Sequence, residues 1–371
     1  MATIRGAGSE VAPGRPSGVA TIRDVAARAG VSVATVSRTL NGVGPVHDDT
    51  SKRVLAAARA LRYVPHAAAR SLSIRRSHTL GVLLPEVHGE FFSEVIRGID
   101  VAARARGYHV LVSSSHSDAQ EMSAMLRALR GRVDGLIVMS PDVELGSLSR
   151  ALTADTPAVL LNSATNARPT IRIDNYTGAC GMTEHLVALG HRHIAFITGP
   201  ERNADAAERL RGYRTAAGSA ADAKSAQLEV EGDFTEESGY RAVARIMAMK
   251  PRPTAIFAAN DAMAIGALRA LRETGVAIPD DITLAGFDDI PMARYLTPQL
   301  TTVRVDIAEM GRRAVEYLVS SLEGETAIKK HEVIPTTLVV RESCSAPSGR
   351  EGRATQQTNS RRRTAGKEES R

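Results

Sequence analysis

The spacing of hydrophobic and polar positions along the chain changes near residue 79. From residue 19 to 64, short apolar stripes recur at helical spacing and predict three short helices. After residue 79, apolar runs such as TLGVLL, GLIVMS, HIAFITG and TAIFAAN alternate with longer amphipathic stretches. Buried strands that alternate with helices predict parallel sheets covered on both faces. About seven such steps exceed one compact sheet, so we predict two doubly wound subdomains.

The helix boundaries of the first segment follow from its capping residues. The stretch TIRD at 21–24 resembles a capping box, and Gly30 ends the first helix. Ser32 can cap a second helix that ends near Asn41, and a third runs from 47–49 to Arg62. The positions of the third helix predicted to face inward are Val54, Leu55, Ala58 and Leu61.

A helix, a glycine turn and a second helix with small polar residues form a helix-turn-helix arrangement. The major groove of DNA admits one helix, whose first side chains reach base edges. On the second helix Val33, Ala34 and Ser37 are predicted to face outward, with Arg38 one step further on. The side chains suited to phosphate oxygens are Ser32, Thr35 and Asn41. A plain three-helix bundle without DNA binding is the alternative.

Charge is distributed unevenly along the chain. Residues 1–78 carry 12 Lys and Arg against 4 Asp and Glu, and residues 345–371 carry 7 against 3. Residues 79–344 carry 28 against 34 and are therefore acidic overall. A basic head on an acidic body indicates that the head approaches a polyanion, although a solvated charged terminus would look similar.

Composition narrows the class of protein further. Cys180 and Cys344 lie far apart and match no metal spacing, and no apolar run has the length of a signal peptide or a membrane span. We therefore expect a cytoplasmic protein without a metal, a cofactor or a membrane contact. No catalytic constellation stands out, so we expect no enzyme activity. Residues 1–18 and the basic tail 345–371 are predicted to be disordered.

The body predicts a ligand cleft, because open α/β sheets bind ligands beyond the carboxyl ends of their strands. Several polar and aromatic residues follow the predicted strands, and such residues suit a polyhydroxylated ligand. These candidate ligand-binding residues are Phe91, Phe92, Asn162, Arg209, Phe234, Asn260 and Asp288. For each of them, a helix cap or an interdomain salt bridge is the alternative role. We expect Asp261 to be an acidic residue at a helix start rather than a ligand contact.

The stretches TIRDVAARAGVSVATVSRTLNG and RYVPHAAARSL closely resemble the head of the lactose-repressor (LacI/GalR) family of bacterial regulators. The likeness continues through LGHRHIAFITGP, RPTAIFAANDAMAIGAL and ITLAGFDDI, and covers roughly residues 20–344. It implies a helix-turn-helix head and a periplasmic-binding-protein-like core. The implied division is a DNA-binding domain 19–64, a hinge helix and linker 65–78, an N-subdomain 79–175 with 304–324, and a C-subdomain 176–303 with 325–344.

The resemblance also implies roles for residues of the head. Val33 and Ala34 match base-reading positions, and Arg38 matches a contact to a base or a phosphate. Ala69 matches a residue on the minor-groove floor, and Leu72 matches a leucine inserted between base pairs. Positions used mainly for backbone contact are Thr21, Thr35, Ser37, Asn41 and Tyr63. His47 departs from the serine that usually caps the third helix, so Asp48 or Asp49 is the alternative cap.

These observations predict a dimeric repressor that binds operator DNA and responds to a small effector. Asn203 replaces an arginine of purine-responsive members, and Asn260 resembles the sugar-responsive type, which favours a sugar. A transport-type solute-binding protein shares the body fold but would lack the basic head. A sugar-modifying enzyme would need a catalytic constellation.

Overall fold

The structure, a computed structural model, describes residues 20–41, 44–63, 76–141, 152, 156–163, 168–220, 228–325 and 331–347. The predicted disordered start 1–18, the hinge residues Ala69 and Leu72, and the tail beyond residue 347 lie outside the described residues. The chain divides into two compact units, residues 1–77 and 78–371.

The first unit contains the three predicted helices. They are α1 (Ile22–Ala29), α2 (Val33–Asn41) and α3 (Asp48–Ala60). Val25, Val36 and Val54, one from each helix, are fully buried and form the centre of a small core. The inward orientation predicted for Leu55 was wrong, because its side chain is 40% exposed. It follows Val54 directly, and one residue of helical rotation turns it toward solvent.

The second unit alternates strands and helices from residue 79 onward. Its helices are α4 (Glu90–Ala105), α5 (Ala119–Leu129), α6 (Asn175–Ala188), α7 (Ala204–Ala220), α8 (Glu236–Ala248), α9 (Asp261–Glu273) and α10 (Ile307–Glu323). Its strands are β1 (Thr79–Leu84), β2 (His109–Ser114), β3 (Gly135–Met139), β4 (Ala158–Leu161), β5 (Thr170–Ile173), β6 (Ile194–Ile197), β7 (Glu229–Val230), β8 (Ala255–Ala258), β9 (Thr283–Ala285), β10 (Thr302–Val305), β11 (His331–Ile334) and β12 (Thr336–Val339).

The first sheet of this unit is parallel, with the order β11-β5-β4-β3-β1-β2. Alternate residues of β1 enter different cores: Val82 and Leu84 pack with α4 and α10, whereas Leu83 packs with α5. This alternation explains why the strand sequence is continuously apolar, since both of its faces are covered. The predicted doubly wound architecture is confirmed here.

The second sheet is also parallel, with the order β7-β6-β8-β9, and β10 pairs with β12 in a separate antiparallel pair. One predicted subdomain boundary was wrong. Residues 325–344 were assigned to the C-subdomain, but β11 pairs in parallel with β5 and extends the first sheet. Local sequence patterns do not determine this pairing, because the two strands lie about 160 residues apart.

Close packing of α4 against α10 depends on Gly98. A Cβ atom on Gly98 would lie 2.0 Å from the backbone oxygen of Ala308, so the two helices would have to separate. We expect Gly98→Ala to lower the free energy of unfolding by about 1–3 kcal/mol or more. Gly181→Ala on α6 is the matched control, since its Cβ would meet no atom within 4 Å. Thermal unfolding of both variants measures the difference, and equal stabilities would contradict this account.

Candidate DNA-reading face and ligand cleft

The start of α1 is held by the predicted capping box. The hydroxyl of Thr21 accepts a hydrogen bond from Asp24 N, and the Asp24 carboxylate accepts one from Thr21 N at 2.7 Å. Gly30 ends the helix with a φ of 64°, a conformation that glycine adopts without strain. The chain therefore turns at the position that the sequence predicts.

The start of α2 presents an apolar surface to solvent. Ser32 caps this helix by accepting a hydrogen bond from Thr35 N at 3.1 Å. Val36 is fully buried against the rest of the head, whereas Val33 is 42% exposed and Ala34 and Arg38 are also exposed. An exposed valine at a helix start cannot contribute to the core. It is available to an external surface with thymine methyl groups, such as a major groove.

The polar side chains predicted to face phosphates already make hydrogen bonds within the head. The Ser32 and Thr35 hydroxyls lie 2.9 Å apart, and Asn41 Nδ2 donates to the Ser37 hydroxyl at 3.2 Å. These bonds fix the rotamers of short side chains along one stretch of α2. The Ser32 and Thr35 hydroxyls can each take part in further hydrogen bonds, because one hydroxyl has a donor and two lone pairs.

His47 occupies the N-cap position of α3 without a side-chain hydrogen bond to the helix. Asp48 and Asp49 lie inside the first turn, where their negative charges stabilise the helix start. Neither aspartate is the capping residue itself. Tyr63 lies just beyond α3, is partly buried, and packs against the head core. Its assignment as a DNA contact stays a prediction.

In the second unit, the carboxyl edges of the two sheets face each other. Pro141 follows β3 of the first sheet, and its carbonyl oxygen accepts a hydrogen bond from Ala204 N at the start of α7. Glu90 follows β1, and its Oε2 accepts a hydrogen bond from Met292 N, beyond β9, at 2.8 Å. Two separate contacts thus join these edges, and the region between them is the predicted ligand cleft.

Arg209 and Asp288 form a buried ion pair in this cleft. Arg209 Nη2 lies 2.9 Å from Asp288 Oδ1, and the residues are 3% and 4% exposed. The other guanidinium nitrogens donate to Asn175 Oδ1 at 2.8 Å and to the Ala259 carbonyl at 2.7 Å. The guanidinium also lies over the ring of Phe287, 3.9 Å from its centroid. Protein groups therefore hold this arginine in one orientation.

Burial opposes the negative charge of two carboxylates here, those of Asp288 and Asp261. It raises the pKa of Asp288 to about 6, while the charge of Arg209 lowers it. Burial and the nearby Asp288 also raise the pKa of Asp261 well above its usual range. Asp261 accepts hydrogen bonds from the Thr302 hydroxyl and Ile290 N, which agrees with its predicted place at a helix start.

Asp288 also has an unusual backbone. Its φ is 111° and that of Asp289 is 54°, and such conformations cost about 1–3 kcal/mol in residues other than glycine. Hydrogen bonds with Val303 and Val305 hold the backbone of Asp288, and Arg304 and Arg341 hold the Asp289 carboxylate. The strained turn directs the Asp288 side chain toward Arg209.

Asn260 caps α9 with its side-chain amide. Its Oδ1 accepts a hydrogen bond from Met263 N at 2.9 Å, and its Nδ2 donates to the Phe234 carbonyl at 3.0 Å. The alternative structural role is therefore present at this residue, and a ligand contact stays a prediction. Phe234 has a positive φ of 70°, and its ring centroid lies 5.7 Å from the Arg209 guanidinium.

Phe91 and Phe92 begin α4 on the opposite side of the cleft. Their rings meet edge to face with centroids 5.5 Å apart, and both side chains are only partly buried. Such rings can pack against an apolar face of a ligand. The sequence places them correctly after β1, because a short strand followed by a glycine and an amphipathic helix is a strong local pattern.

Two buried polar atoms around the cleft have no hydrogen-bond partner among the described residues. They are Asn162 Oδ1 and Ser163 Oγ. Asp288 Oδ1, in contrast, lies 2.9 Å from Arg209 Nη2 and is paired with it. Buried polar atoms without partners are rare and costly, so a ligand would stabilise them.

Sequence reasoning missed Asn175, Ser163 and Phe287. Asn175 links Arg209 to Asp205, Ser163 adds an unfilled hydroxyl beside Asn162, and Phe287 supports the arginine. Asn175 and Ser163 each lie two residues beyond a strand end, close to the kind of position that selects Asn162 and Asp288. Extending that criterion by one or two residues would have found both.

No three His, Cys, Asp or Glu side chains in the described part of the chain form a set that could bind a metal. No helix among the described ranges combines the length and the hydropathy that a membrane crossing requires.

Comparison with known proteins agrees with this arrangement. Residues 21–66 match bacterial regulatory proteins of the lacI family, and residues 183–344 match a periplasmic binding protein-like domain. The HTH-type transcriptional repressor PurR of Photobacterium profundum is 34% identical over 329 residues, which cover 88% of this chain and 98% of that protein.

Solved structures agree as well. A lac repressor dimer bound to operator and the anti-inducer ONPF is 32% identical, with a TM-score of 0.78, over 89% of this chain and 100% of that chain. A complex of the transcriptional regulator CelR with cellobiose is 32% identical, with a TM-score of 0.66, over the same shares. These similarities extend from the head through the cleft. This chain therefore belongs to the lacI family of bacterial regulatory proteins.

Proposed function

We propose that this protein is a sequence-specific transcriptional repressor that binds a pseudo-palindromic operator as a homodimer. A sugar or sugar derivative bound in the cleft controls its affinity for DNA. One observation carries the proposal: a solvent-facing helix start on a basic head is combined with unfilled buried polar atoms at the facing sheet edges. The proposed place of action is the cytoplasm, on nucleoid DNA.

The exposed side chains of α2 determine how the head would read DNA. Val33 and Ala34 cannot form bidentate hydrogen bonds with bases, but they can contact thymine methyl groups. Arg38 is exposed and can donate to a guanine or a phosphate. Specificity would then depend on Arg38, on Leu72 in the hinge and on the deformability of the operator.

Coupling between cleft and head would act through the hinge at residues 65–78. A helix of eight or nine residues is marginal in water, so its folding can depend on DNA and on its partner hinge. A ligand that changes the separation of the two hinges would shift this equilibrium. By linkage, a ligand that weakens DNA binding must itself bind more weakly to the DNA complex.

The chemistry of the cleft supports a sugar over a purine. Partly buried aromatic rings and unpartnered polar atoms both follow strand ends, and such groups suit the apolar faces and the hydroxyls of a sugar. The side chain of Asn203, where purine-responsive members carry an arginine, accepts a hydrogen bond from Ala206 N near the start of α7. The cellobiose complex of the similar regulator CelR supports the same ligand class.

Selection from random DNA followed by gel-shift assays tests the DNA-binding proposal. We expect a pseudo-palindromic site with a central CG step. With six or more phosphate contacts, affinity should fall roughly a thousandfold between about 50 and 200 mM salt. An asymmetric selected site would contradict the dimeric mode of reading, and absence of any sequence preference would contradict the proposal as a whole.

The raised pKa of Asp288 predicts that effector affinity depends on pH. Ionised Asp288 is the better acceptor, so affinity should fall as pH falls through about 6, by about tenfold at pH 5 relative to pH 7.5. Calorimetric titration at several pH values measures this change. Asp288→Asn removes the titrating group, so any effector affinity that this variant keeps should no longer change with pH.

Asp288 also makes the free energy of unfolding depend on pH, in the opposite direction to effector affinity. Its pKa is about 3.9 when unfolded and about 6 when folded, so the native state binds the proton more tightly. The stability that it contributes is complete below about pH 4 and is lost as pH rises through about 6. Parallel changes of stability and effector affinity with pH would contradict the assignment.

A further inference from the structure

One short turn joins the Arg209–Asp288 pair to two strands that run between the sheets. Asp288 and Asp289 are consecutive residues of this turn, and their carboxylates bind different arginines. We infer that Asp289 is a positioning residue that couples the pairing of Asp288 to those two strands, so that a change at Asp288 is passed to the connections between the sheets. This inference rests on the proposed function, since Asp288 is a residue proposed to bind the effector.

The two connecting strands are β10 and β12, which pair with each other. β10 leads from the second sheet into α10, and α10 packs on the first sheet, where Leu318 closely approaches Gly135 of β3. β12 follows β11 of the first sheet, and the chain then returns to the second sheet, since Leu284 N of β9 donates to the Ser343 carbonyl at 3.0 Å. A rotation of one sheet relative to the other therefore involves this pair of strands.

The Asp289 carboxylate binds an arginine from each of these two segments. Its Oδ2 accepts a hydrogen bond from Arg304 Nε, on β10, at 2.7 Å, and its Oδ1 accepts one from Arg341 Nη2, two residues beyond β12, at 2.6 Å. Arg341 Nη1 also donates to the Leu300 carbonyl, just before β10. The side chains of Asp289 and Arg341 are 4% and 12% exposed, so solvent screens this contact little.

The backbone of the turn links the two carboxylates. Asp288 N donates to the Val303 carbonyl at 2.8 Å, and Val305 N donates to the Asp288 carbonyl at 3.2 Å. The φ values of 111° at Asp288 and 54° at Asp289 persist only where surrounding contacts hold them. A shift of Asp288 therefore requires the contacts of Asp289 or the strand β10 to adjust with it.

Coupling is reciprocal, so a change at Asp289 should alter the proton affinity of Asp288. The charged groups that face Asp288 are Arg209 from α7 and Asp261 from α9. In Asp289→Asn, the backbone hydrogen bonds keep Asp288 buried but its alignment with Arg209 is lost, so its pKa should rise from about 6 to about 7. Direct loss of the Asp289 charge would act in the opposite direction and lower this pKa.

The first test measures the free energy of unfolding of the full-length protein against pH, without DNA or ligand. Subtracting the profile of Asp288→Asn isolates the contribution of Asp288, which falls as pH rises and levels off above its folded-state pKa. When both proteins also carry Asp289→Asn, we expect the levelling to move upward by about one pH unit. Levelling at the same or a lower pH would assign Asp289 a purely structural role and overturn the inference.

The second test measures hydrogen exchange in peptides that cover β10 and β12, at one neutral pH. Asp288→Asn breaks the buried ion pair and should speed exchange in both strands roughly tenfold. The same substitution should speed it at most about twofold when Asp289→Asn is also present, because the coupling is then already lost. Equal increases with and without Asp289→Asn would overturn the inference.

Two further variants control for effects on folding. Arg304→Met changes a 55% exposed side chain, so it should fold and should also reduce the increase in exchange caused by Asp288→Asn; an unreduced increase would overturn the inference. Asp100→Asn breaks the exposed Arg104–Asp100 pair on α4 and should change neither measurement. Gel shifts report DNA binding separately, because absence of specific binding by the unmodified protein would contradict the proposed function and not the coupling through Asp289.

Discussion

Replacing Asp288 with alanine is expected to abolish the effector response while specific operator binding persists. The substitution removes the acceptor proposed for the ligand and leaves the buried Arg209 without its counter-charge. Breaking a buried ion pair on one side costs about 3–5 kcal/mol, so the free energy of unfolding should also fall. Operator gel shifts with and without effector measure the response, and thermal unfolding measures the loss of stability.

A matched variant and a double substitution separate ligand binding from folding. Glu208→Ala breaks the exposed Arg211–Glu208 pair on α7, the helix that also carries Arg209. Such exposed pairs contribute at most about 1 kcal/mol to the free energy of unfolding. Arg209→Leu combined with Asp288→Leu removes both buried charges and should recover much of the lost stability without restoring the effector response. An effector response that survives in Asp288→Ala would remove this residue from the ligand site.

Replacing Leu72 with alanine is expected to weaken operator binding by roughly a hundredfold while effector affinity stays unchanged. In the implied mode of binding, this leucine is inserted between base pairs. Unstacking one base step costs a few kcal/mol, and the bend that results lets the DNA contact more of the protein. Alanine is too short to hold the step open, so the bend and its added contacts are lost. Quantitative gel shifts and calorimetry of the DNA-free protein measure the two affinities.

Leu55→Ala is the matched control for this substitution. Leu55 lies in the first unit, is 40% exposed and makes no contribution to the buried head core. Its loss should leave operator affinity within about twofold, as for other surface substitutions. If Leu72→Ala also binds operator normally, Leu72 belongs to a plain linker and the wedge assignment fails.

Local patterns were sufficient to predict the elements of the fold and the face of α2. The capping box at Thr21 and the glycine at position 30 are decided by neighbouring residues, so they can be inferred from sequence. The exposure of Val33 follows from helical spacing once Val36 is assigned to the core. The failure at Leu55 shows the limit of that spacing, because an apolar residue beside the core face was assumed to be buried.

Only the tertiary structure decided how the cleft residues are used. The sequence places Arg209, Asn260 and Asp288 at strand ends and helix starts, but it does not show that the arginine and the aspartate neutralise each other. It also does not show that the amide of Asn260 is committed to a helix cap, or that Asn175 orients the arginine. These partners are tens of residues apart, and their pairing depends on how the strands are ordered in each sheet.

The sequence by itself determined the class of the molecule: a basic helix-turn-helix head, an α/β body and a cleft at the strand ends. Spacing, caps and charge are local or additive properties, so a single chain reveals them. The tertiary structure decided the place of β11 in the first sheet and the pairing of Arg209 with Asp288. Those features arise from contacts between distant segments, since burial and pairing exist only after the sheets have formed.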